Sequence, residues 1–506
     1  MQGRGDAEAV LTDAAALCGE LVGAGSVHAW LAEHRRRLFP DDAFADLFPS
    51  GRGRPSVPAD VIAAVMVLQA LEGLSDREAA EALRLRIDWK VACGLALTDE
   101  GIHPTTLTYW RNRLRRSDRP RRIFDAVAEV IAATGVLKGR GRRALDSTVV
   151  DDAVATQDTV TQLVSAVRRV RRLVPPAAQV QLSTHDYDQP GKPVCAWDDA
   201  AARDALVTGL VTDALAILAS VDGALLDRAQ ADAVGLLALV AGQDVQPGDT
   251  DGTWRIARAT AADRVISTVD PDTRHVHKTV RSRRDGFKAH VAVEPETGLI
   301  TDCALTSGNT YDGAAGVELL ERETAPVQVL GDSAYGSAAT RKHLAAAGHT
   351  VTIKPIALRR TVPGGFTIDD FTIDTAAQTV TCPAGHTAAI EPAGRAQFRR
   401  RCDGCPLRLR CTTNKSGRSI SIHPDFDVLH AARRAATDPD WQRSYTRWRP
   451  MVERTIAWIV AKGHRRVRYR GIHRNQIWLD HRVAAVNLRQ LIRAGLTQAQ
   501  HGWGIA

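Results

Sequence analysis

Hydrophobic positions recur at helical spacing through residues 26–135. The stretch VPADVIAAVMVLQALEGLSDREAAEALR, residues 57–84, has this spacing, and Ser75 with Glu78 three residues later predicts a capped helix start. A second start, HPTTLTYWRNRLRR at residues 103–116, predicts a short helix whose exposed side carries Arg111, Arg113, Arg115 and Arg116. The first quarter of the chain is therefore expected to be all α-helical.

The basic second helix is typical of a helix-turn-helix DNA reader, in which that helix enters the major groove. A plain helical bundle fits the same pattern equally well. In the first interpretation, Arg111 and Arg115 are candidate DNA contacts.

The polarity pattern changes after a Gly/Arg connector at residues 137–143. ALDSTVVD, residues 144–151, is a short β-branched run, and a helical insertion follows it. FKAHVAVEPETGLITDCAL, residues 287–305, predicts a β-hairpin. The chain then alternates between helix and strand patterns at residues 312–323, 325–331, 338–347 and 350–355. This alternation predicts an α/β sheet with parallel members.

Length and composition favour a multidomain globular protein, because 506 residues with 44% hydrophobic residues are enough for two or more cores. No run of about 18 uncharged apolar residues occurs, and acids interrupt the amino-terminal segment. We therefore expect no membrane contact, no signal peptide and a cytoplasmic location.

The net charge of +8 is unevenly distributed. Residues 441–490 hold twelve Arg or Lys residues against two acids, Glu453 and Asp480. Such a bias favours contact with a polyanion over an ordinary solvated helix face. The twelve cations are Arg443, Arg447, Arg449, Arg454, Lys462, Arg465, Arg466, Arg468, Arg470, Arg474, Arg482 and Arg489.

Three acidic residues occur in segments that are otherwise apolar or basic. Asp332 follows the apolar strand in VQVLGDSAYGS, residues 327–337, and ligands of open α/β sheets bind at the carboxyl ends of strands. Asp146 interrupts a strand that requires burial, and Glu453 is an acid on an apolar-striped helix in a basic run. If the three converge, bound divalent cations relieve their repulsion.

Structural roles compete with this interpretation. A lone Asp after a strand is commonly a helix cap. For the neighbouring acids Asp151, Asp152 and Asp312 we favour caps or solvated charges. Lys288 and His290 alternate on one face of the hairpin and fit either a phosphate contact or a solvent face.

The ordered blocks LDST, LGDSAYGS and YTRWRPMVERTIAWI resemble the three catalytic blocks of DDE transposases from bacterial insertion sequences. RGRPSVPADVIAAVMVLQALEGLSDREAAEALR and the segment before LGDSAYGS are also similar to that family, so the resemblance covers about residues 45–490. It implies an α/β fold with a ribonuclease H-like mixed sheet core and an all-α N-terminal domain. Two segments of this chain depart from a minimal core of that kind, a helical insertion and a small cysteine-rich insertion.

The resemblance also implies roles for individual residues. Asp146, Asp332 and Glu453 become the metal-binding catalytic triad, and Arg449 becomes the basic residue one helical turn before the glutamate. Tyr445 stands one position further from Arg449 than in the commonest family signature, and Lys462 lies later than in that signature. The expected DNA contacts in this region are Arg449, Arg454, Lys462, Arg465 and Arg466.

In this scheme two Mg²⁺ or Mn²⁺ ions, about 3.5–4 Å apart, activate a water or a DNA 3′-hydroxyl and stabilise the leaving oxygen. The three oxygen ligands suit these cations. The implied activity is cleavage and joining of double-stranded DNA at terminal inverted repeats, in a bacterial, nucleoid-associated protein. Holding two transposon ends implies a homodimer or larger assembly.

Four cysteines lie close together in the sequence before Glu453. Cys402 and Cys405 form a tight pair suited to zinc, and Cys382 and Cys411 complete four thiolates, with His386 as a substitute ligand. A structural Zn²⁺ is favoured over free or redox-active thiols.

The expected domains are a helical DNA-binding domain (1–136), the first part of the catalytic core (137–157), a helical insertion (158–250), the second part of the core (251–358), a cysteine-rich insertion (359–430) and a final catalytic helix with a basic C-terminal region (431–506). Two alternatives stay open. One is a metal-dependent DNA endonuclease that does not join strands, and the other is a transposase-derived DNA-binding protein without catalysis.

Overall fold

The computed structural model describes residues 1–3, 12–50, 52–189, 191–279, 282–499 and 502–506. The N-terminal region is helical, as predicted, and Ser75 and Glu78 form the expected capping box. Its helices are α1 Ala14–Cys18, α2 Val27–Leu38, α3 Ala59–Glu72, α4 Asp76–Leu85, α5 Ile87–Cys93, α6 Pro104–Arg116 and α7 Arg122–Thr134.

Helix α3 lies at the centre of this region, since its residues from Ala59 to Ala70 are all buried. A helix this apolar on all sides needs neighbours on every side. One of those neighbours is the helix at residues 472–493, whose Ala484, Leu488 and Leu491 share the same hydrophobic core. The N-terminal region therefore packs directly on the C-terminal part of the chain.

Strand β1, Arg142–Asp151, follows the helices, and the chain then forms the predicted helical insertion. The insertion has its own hydrophobic core, which includes Leu163, Leu210 and Leu237. Its elements are α8 Thr159–Leu173, α9 Pro175–Ala178, α10 Ala200–Ser220, α11 Arg228–Gln243, β2 Val245–Pro247 and β3 Trp254–Ile256.

A six-stranded mixed sheet carries the predicted hairpin and the predicted alternation of helix and strand. Its strands pair in the order β4-β5-β1-β7-β8, and β6 pairs with the second half of β5. β1 is antiparallel to β5 and parallel to β7, which is parallel to β8. The elements are β4 Arg274–Thr279, β5 Ser282–Val293, β6 Ile300–Ser307, α12 Asp312–Glu318, β7 Gln328–Gly331, α13 Ala338–Ala346 and β8 Thr350–Ile353.

The cysteine-rich segment forms a separate small sheet with strand order β13-β12-β11-β10-β9. Its core contains Phe371, Phe398 and Cys402. The elements are β9 Thr372–Asp374, β10 Thr379–Thr381, β11 Thr387–Glu391, β12 Arg395–Gln397, α14 Arg408–Cys411 and β13 Ser419–Ser421.

Helices and a terminal hairpin complete the chain. The helix expected to carry Tyr445, Arg449 and Glu453 together is divided at Pro450, which has no N–H to continue the hydrogen-bond ladder. The elements are α15 Phe426–Ala435, α16 Pro439–Trp448, α17 Met451–Val460, α18 Ile472–Arg493, β14 Leu496–Ala499 and β15 Gly502–Ile505. Among the helices that the structure describes, none is long and apolar enough to cross a membrane.

Candidate active site

The sheet register brings two of the predicted acids together. Ala144 of β1 lies opposite Leu330 of β7 in a parallel pair. Asp146 and Asp332 each follow that pair by two residues, so Asp146, inside β1, lies beside Asp332 at the point where β7 ends. This is the carboxyl-end position at which open α/β sheets bind ligands.

Asp332 is both a cap and a member of the site. Its Oδ1 accepts a hydrogen bond from the Ala334 amide at 2.9 Å and caps a short helical turn at residues 333–335. Its Oδ2 remains available and faces the guanidinium of Arg449 at 3.9 Å. Asp332 therefore does cap a helical turn, and the capping hydrogen bond fixes its carboxylate in place.

Glu453 reaches the same position from α17, in the first turn of that helix. Its side chain is 70% exposed, whereas the neighbouring Arg449 is only 8% exposed. The Arg449 guanidinium lies 3.2 Å from Asp146 Oδ1 through Nη2 and 3.7 Å from Glu453 Oε1 through Nη1. All three predicted acids therefore surround one buried cation.

The charges around Asp146 act on its pKa in opposite directions. Burial raises the pKa of Asp146, and the charges of Asp332 and Glu453 raise it further. The Arg449 charge and the Ser147 amide, which donates to Oδ1 at 2.8 Å, oppose that rise. Arg449 is therefore the counter-ion that compensates the repulsion among the three carboxylates.

The Arg449 guanidinium is not fully hydrogen-bonded itself. Its Nε and Nη1 are buried without a hydrogen-bond partner among the described residues. A buried donor without a partner carries a free-energy cost. The three carboxylates around this incompletely bonded cation are oxygen donors, the kind of ligand that a hard divalent ion prefers.

The residues around the triad that are expected to contact DNA differ in exposure and in their hydrogen bonds to the rest of the protein. Arg454 and Lys462 are exposed. Arg465 donates to the Thr148 hydroxyl at 2.7 Å and to the Val149 carbonyl at 3.1 Å, and Arg466 donates to the Asp152 carbonyl at 2.9 Å. The last two arginines therefore also brace the chain after α17 against β1.

Tyr445 lies on α16, within electrostatic range of all three acids. Burial raises the pKa of its phenol, and Asp332, Asp146 and Glu453 raise it further. Its ring stacks on Trp441, with ring centroids 5.0 Å apart and planes 8° apart. Tyr445 is therefore held as a neutral hydroxyl beside the site.

The candidates in the N-terminal region lie on α6. Arg111 forms an ion pair with Asp76 on α4, and its guanidinium stacks over the ring of Tyr469. Arg115 is partly buried and forms no ion pair with a described residue. The two predicted contacts therefore lie at a junction with the C-terminal region.

The rival acids have structural partners. Asp151 accepts from Arg284 at 2.8 Å, and Asp152 accepts from Thr273 at 2.9 Å. Asp312 accepts from Lys288 at 2.6 Å and from Ser147 at 2.8 Å. This last cluster lies next to Asp146, and sequence reasoning missed it because its members are far apart along the chain.

His290 belongs to the same face of the sheet. It is fully buried, and burial lowers its pKa to about 4. The face that carries His290 and Lys288 is therefore covered by protein rather than by solvent.

The four cysteines of the cysteine-rich segment lie around one small cavity. Cys382, Cys402, Cys405 and Cys411 line one cavity of about 20 Å³, and His386 lines it too. A space of this size holds about one small ion or water. The Arg418 amide donates to the Cys402 sulfur at 3.4 Å.

A different set of ligand atoms is packed more tightly. Among the described residues, His28, Glu72 and Asp88 bring three possible metal-ligand atoms within 4.8 Å of one another. Arg86 already binds Glu72 and Asp88, each at 2.5 Å. The guanidinium therefore neutralises this group, which the sequence pattern did not single out.

Comparison with known families identifies two segments of the chain. A family model described as "Transposase DDE domain" matches residues 381–492, which include Glu453 and the four cysteines. A model described as "Transposase domain (DUF772)" matches residues 30–113, within the N-terminal helices. Asp146 and Asp332 lie outside both segments. No curated protein and no solved structure matched the chain.

Proposed function

Because the chain belongs to the insertion-sequence DDE transposases, we propose that it cleaves DNA at the terminal inverted repeats of its element and joins the freed 3′ ends to target DNA. The observation that carries the proposal is the meeting of Asp146, Asp332 and Glu453 around Arg449. These acids come from two strands and a helix that are distant in sequence.

The strand order supports a ribonuclease H-like core. β1 is central, an antiparallel hairpin lies on one side of it, and two parallel strands lie on the other. The proposed domains keep the boundaries given above, with the helical insertion between β1 and β4.

The three carboxylates fit Mg²⁺ or Mn²⁺, because every donor is an oxygen and because a divalent cation would offset the repulsion that Asp332 and Glu453 exert on Asp146. When bound, such ions polarise the scissile phosphate and lower the pKa of the attacking hydroxyl. Asp146 would be one of the metal ligands in this proposal, and the Ser147 amide, which donates to its Oδ1 at 2.8 Å, holds the carboxylate in one orientation.

Arg449 has two tasks in the proposed reaction. In the free protein it balances the three negative charges. If divalent cations balanced the acids instead, its fork of donors would be free to bind a DNA phosphate. Arg454, Lys462, Arg465 and Arg466 extend the positive surface after Glu453, and Arg111 and Arg115 of α6 extend it on the N-terminal region.

A structural Zn²⁺ in the cysteine-lined cavity completes the proposal. Four thiolates supply a closed site, so the ion stabilises the small sheet and takes no part in catalysis. The protein acts as a dimer or larger assembly on the bacterial nucleoid, because two transposon ends are joined in one event.

Strand transfer tests the proposal and separates it from the two alternatives. A precut terminal-repeat duplex with a 3′-hydroxyl is incubated with plasmid DNA and Mg²⁺, beside the same duplex ending in a 3′-deoxy nucleotide. We expect joined product from the first duplex only, and none with Asp146→Asn. Cutting without joining favours the endonuclease, and binding without either reaction favours the non-catalytic protein.

A further inference from the structure

A polar cavity lies between α6 and the start of α18, away from the three acids. Its volume is about 190 Å³. Hydrogen-bond donors line it, and no carboxylate of a described residue does. The polar lining residues are Thr108, Arg111, Asn112, Arg115, Tyr469 and Arg474.

The charge in this cavity is only partly balanced. Arg111 is paired with Asp76, but Arg115 and Arg474 form no ion pair with any described residue. The Nε of Arg115 is also buried without a hydrogen-bond partner in the described part of the chain. The buried Nε of Arg115 is a costly donor unless an acceptor completes it, and the exposed Arg474 places a second unpaired charge beside it.

Like charges raise that cost further. Burial lowers the pKa of Arg115, and the nearby charges of Arg474, Arg116 and Arg228 lower it again. These arginines come from α6, from α18 and from the insertion helix α11. Positive charges from three separate parts of the chain therefore lie near Arg115.

Tyr469 adds a neutral donor to the lining. Burial raises the pKa of its phenol, so the hydroxyl keeps its proton at neutral pH. The Arg111 guanidinium lies 5.1 Å from its ring centroid, which fixes the ring in place. The cavity thus offers hydroxyl, amide and guanidinium donors, the groups that bind phosphate oxygens.

We infer that this cavity binds one phosphate of the DNA backbone, with Arg115 and Arg474 as its two charged ligands. The inference rests on the proposed function, because it takes DNA as the substrate. One phosphate would then contact the N-terminal region and the C-terminal helix at once, at a junction that the shared hydrophobic core already holds together. The positive charge continues past the cavity at Arg116 and Arg228, which suits a polymer of phosphates better than a single small anion.

The salt dependence of DNA binding tests this site. Fluorescence anisotropy measures the affinity of the protein for a labelled terminal-repeat duplex between about 50 and 300 mM KCl. The variants are Arg115→Gln, Arg474→Gln and the double variant. The slope of log affinity against log salt falls by about 0.9 for each DNA phosphate that the protein no longer neutralises.

If Arg115 and Arg474 bind the same phosphate, the salt slopes of the three variants can be predicted. The double variant should flatten the slope by about 1, and neither single variant should exceed that. Arg119→Gln is the control, because Arg119 lies just after α6 but is already near Glu129 at 3.8 Å, and its slope should match wild type. Arg474 is exposed, so Arg474→Gln is expected to fold even if Arg115→Gln is unstable.

Other outcomes overturn the inference. An unchanged slope in the double variant would show that neither arginine binds phosphate, and a change of about 2 would show two separate phosphates rather than one shared phosphate. Either result leaves the proposed function intact as long as wild type binds and joins the duplex. Loss of binding by wild type itself would contradict both.

Discussion

Removing the Arg449 charge is expected to destabilise the free protein and to make its stability depend on divalent cations. The change is Arg449→Met, which keeps a long apolar side chain in the buried position. Asp146 then keeps the Ser147 amide as a partner but loses its counter-ion. Two neighbouring carboxylates still repel it.

The magnitude follows from how buried each pair is. Asp146 and Arg449 have side chains 16% and 8% exposed, and removing one partner of a buried pair costs about 3–5 kcal/mol. Asp332 and Glu453 are 45% and 70% exposed, so their pairs with Arg449 add at most about 1 kcal/mol each. We therefore expect a loss of about 3–5 kcal/mol, most of it from Asp146.

Thermal unfolding with and without about 10 mM Mg²⁺ measures both effects. In wild type, a cation must displace Arg449 from the acids, so Mg²⁺ raises the melting temperature only slightly. In Arg449→Met the cation fills an uncompensated site, and at about 100 times its dissociation constant it stabilises by about 2.7 kcal/mol. The Mg²⁺-induced shift should therefore be larger in the variant.

Two further proteins control the experiment. Arg443→Met removes an exposed arginine whose pair with Asp440 has side chains 69% and 84% exposed, so it should melt like wild type. Adding Asp146→Asn to Arg449→Met removes both charges and should recover part of the lost stability. Equal melting temperatures for Arg449→Met and wild type, with equal Mg²⁺ shifts, would refute the counter-ion role.

Three other predictions concern catalysis, pH and metal content. Asp332→Asn should abolish cleavage in a gel assay while DNA affinity stays the same or rises slightly, because a metal ligand and one repulsive charge are lost; retained cleavage would remove Asp332 from the triad. Burial lowers the pKa of His464 to about 3, so the unfolded chain binds more protons below about pH 6.5 and stability should fall as the pH drops from there. His464→Gln should weaken that fall in urea unfolding at about pH 7.5 and 5.0, and an unchanged pH dependence would contradict it. Atomic emission should find one zinc per chain, lost in Cys405→Ser but kept in Cys195→Ser; metal-free wild type would point to free thiols.

Local signals in the sequence predicted much of the fold. The Ser75–Glu78 pair indicated the start of α4, and the alternation in residues 287–305 indicated the β5–β6 hairpin. Each depends on residues close together in the chain. The division of the last helices at Pro450 also has a local cause, because proline has no N–H, but the family pattern had suggested one helix.

Long-range packing could not be predicted in the same way. Arg482 was counted among the cations of a polyanion-binding surface, yet it is 1% exposed and donates to the carbonyls of Ile459, Ala70 and Trp458. A guanidinium has five donors, so it can satisfy carbonyls at a junction as well as bind phosphate. Charge along the sequence does not distinguish these two uses.

The candidate site was also predictable only in part from the sequence. The three acids were identified from their neighbours in sequence and from the family resemblance. The central position of Arg449 among them depends on how α17 docks beside β1 and β7, which no local pattern encodes. The same holds for the cavity shared by Arg115 and Arg474.

The most direct test of the proposed catalysis is Mg²⁺-dependent cleavage of DNA that carries the terminal inverted repeats, with wild type beside Glu453→Gln. Glu453 is largely exposed, so the variant should fold normally and bind the same DNA. We predict cutting at the repeat ends by wild type and none by the variant. Equal cutting by both proteins, or cutting by neither, would contradict the assignment of the three acids as the catalytic centre.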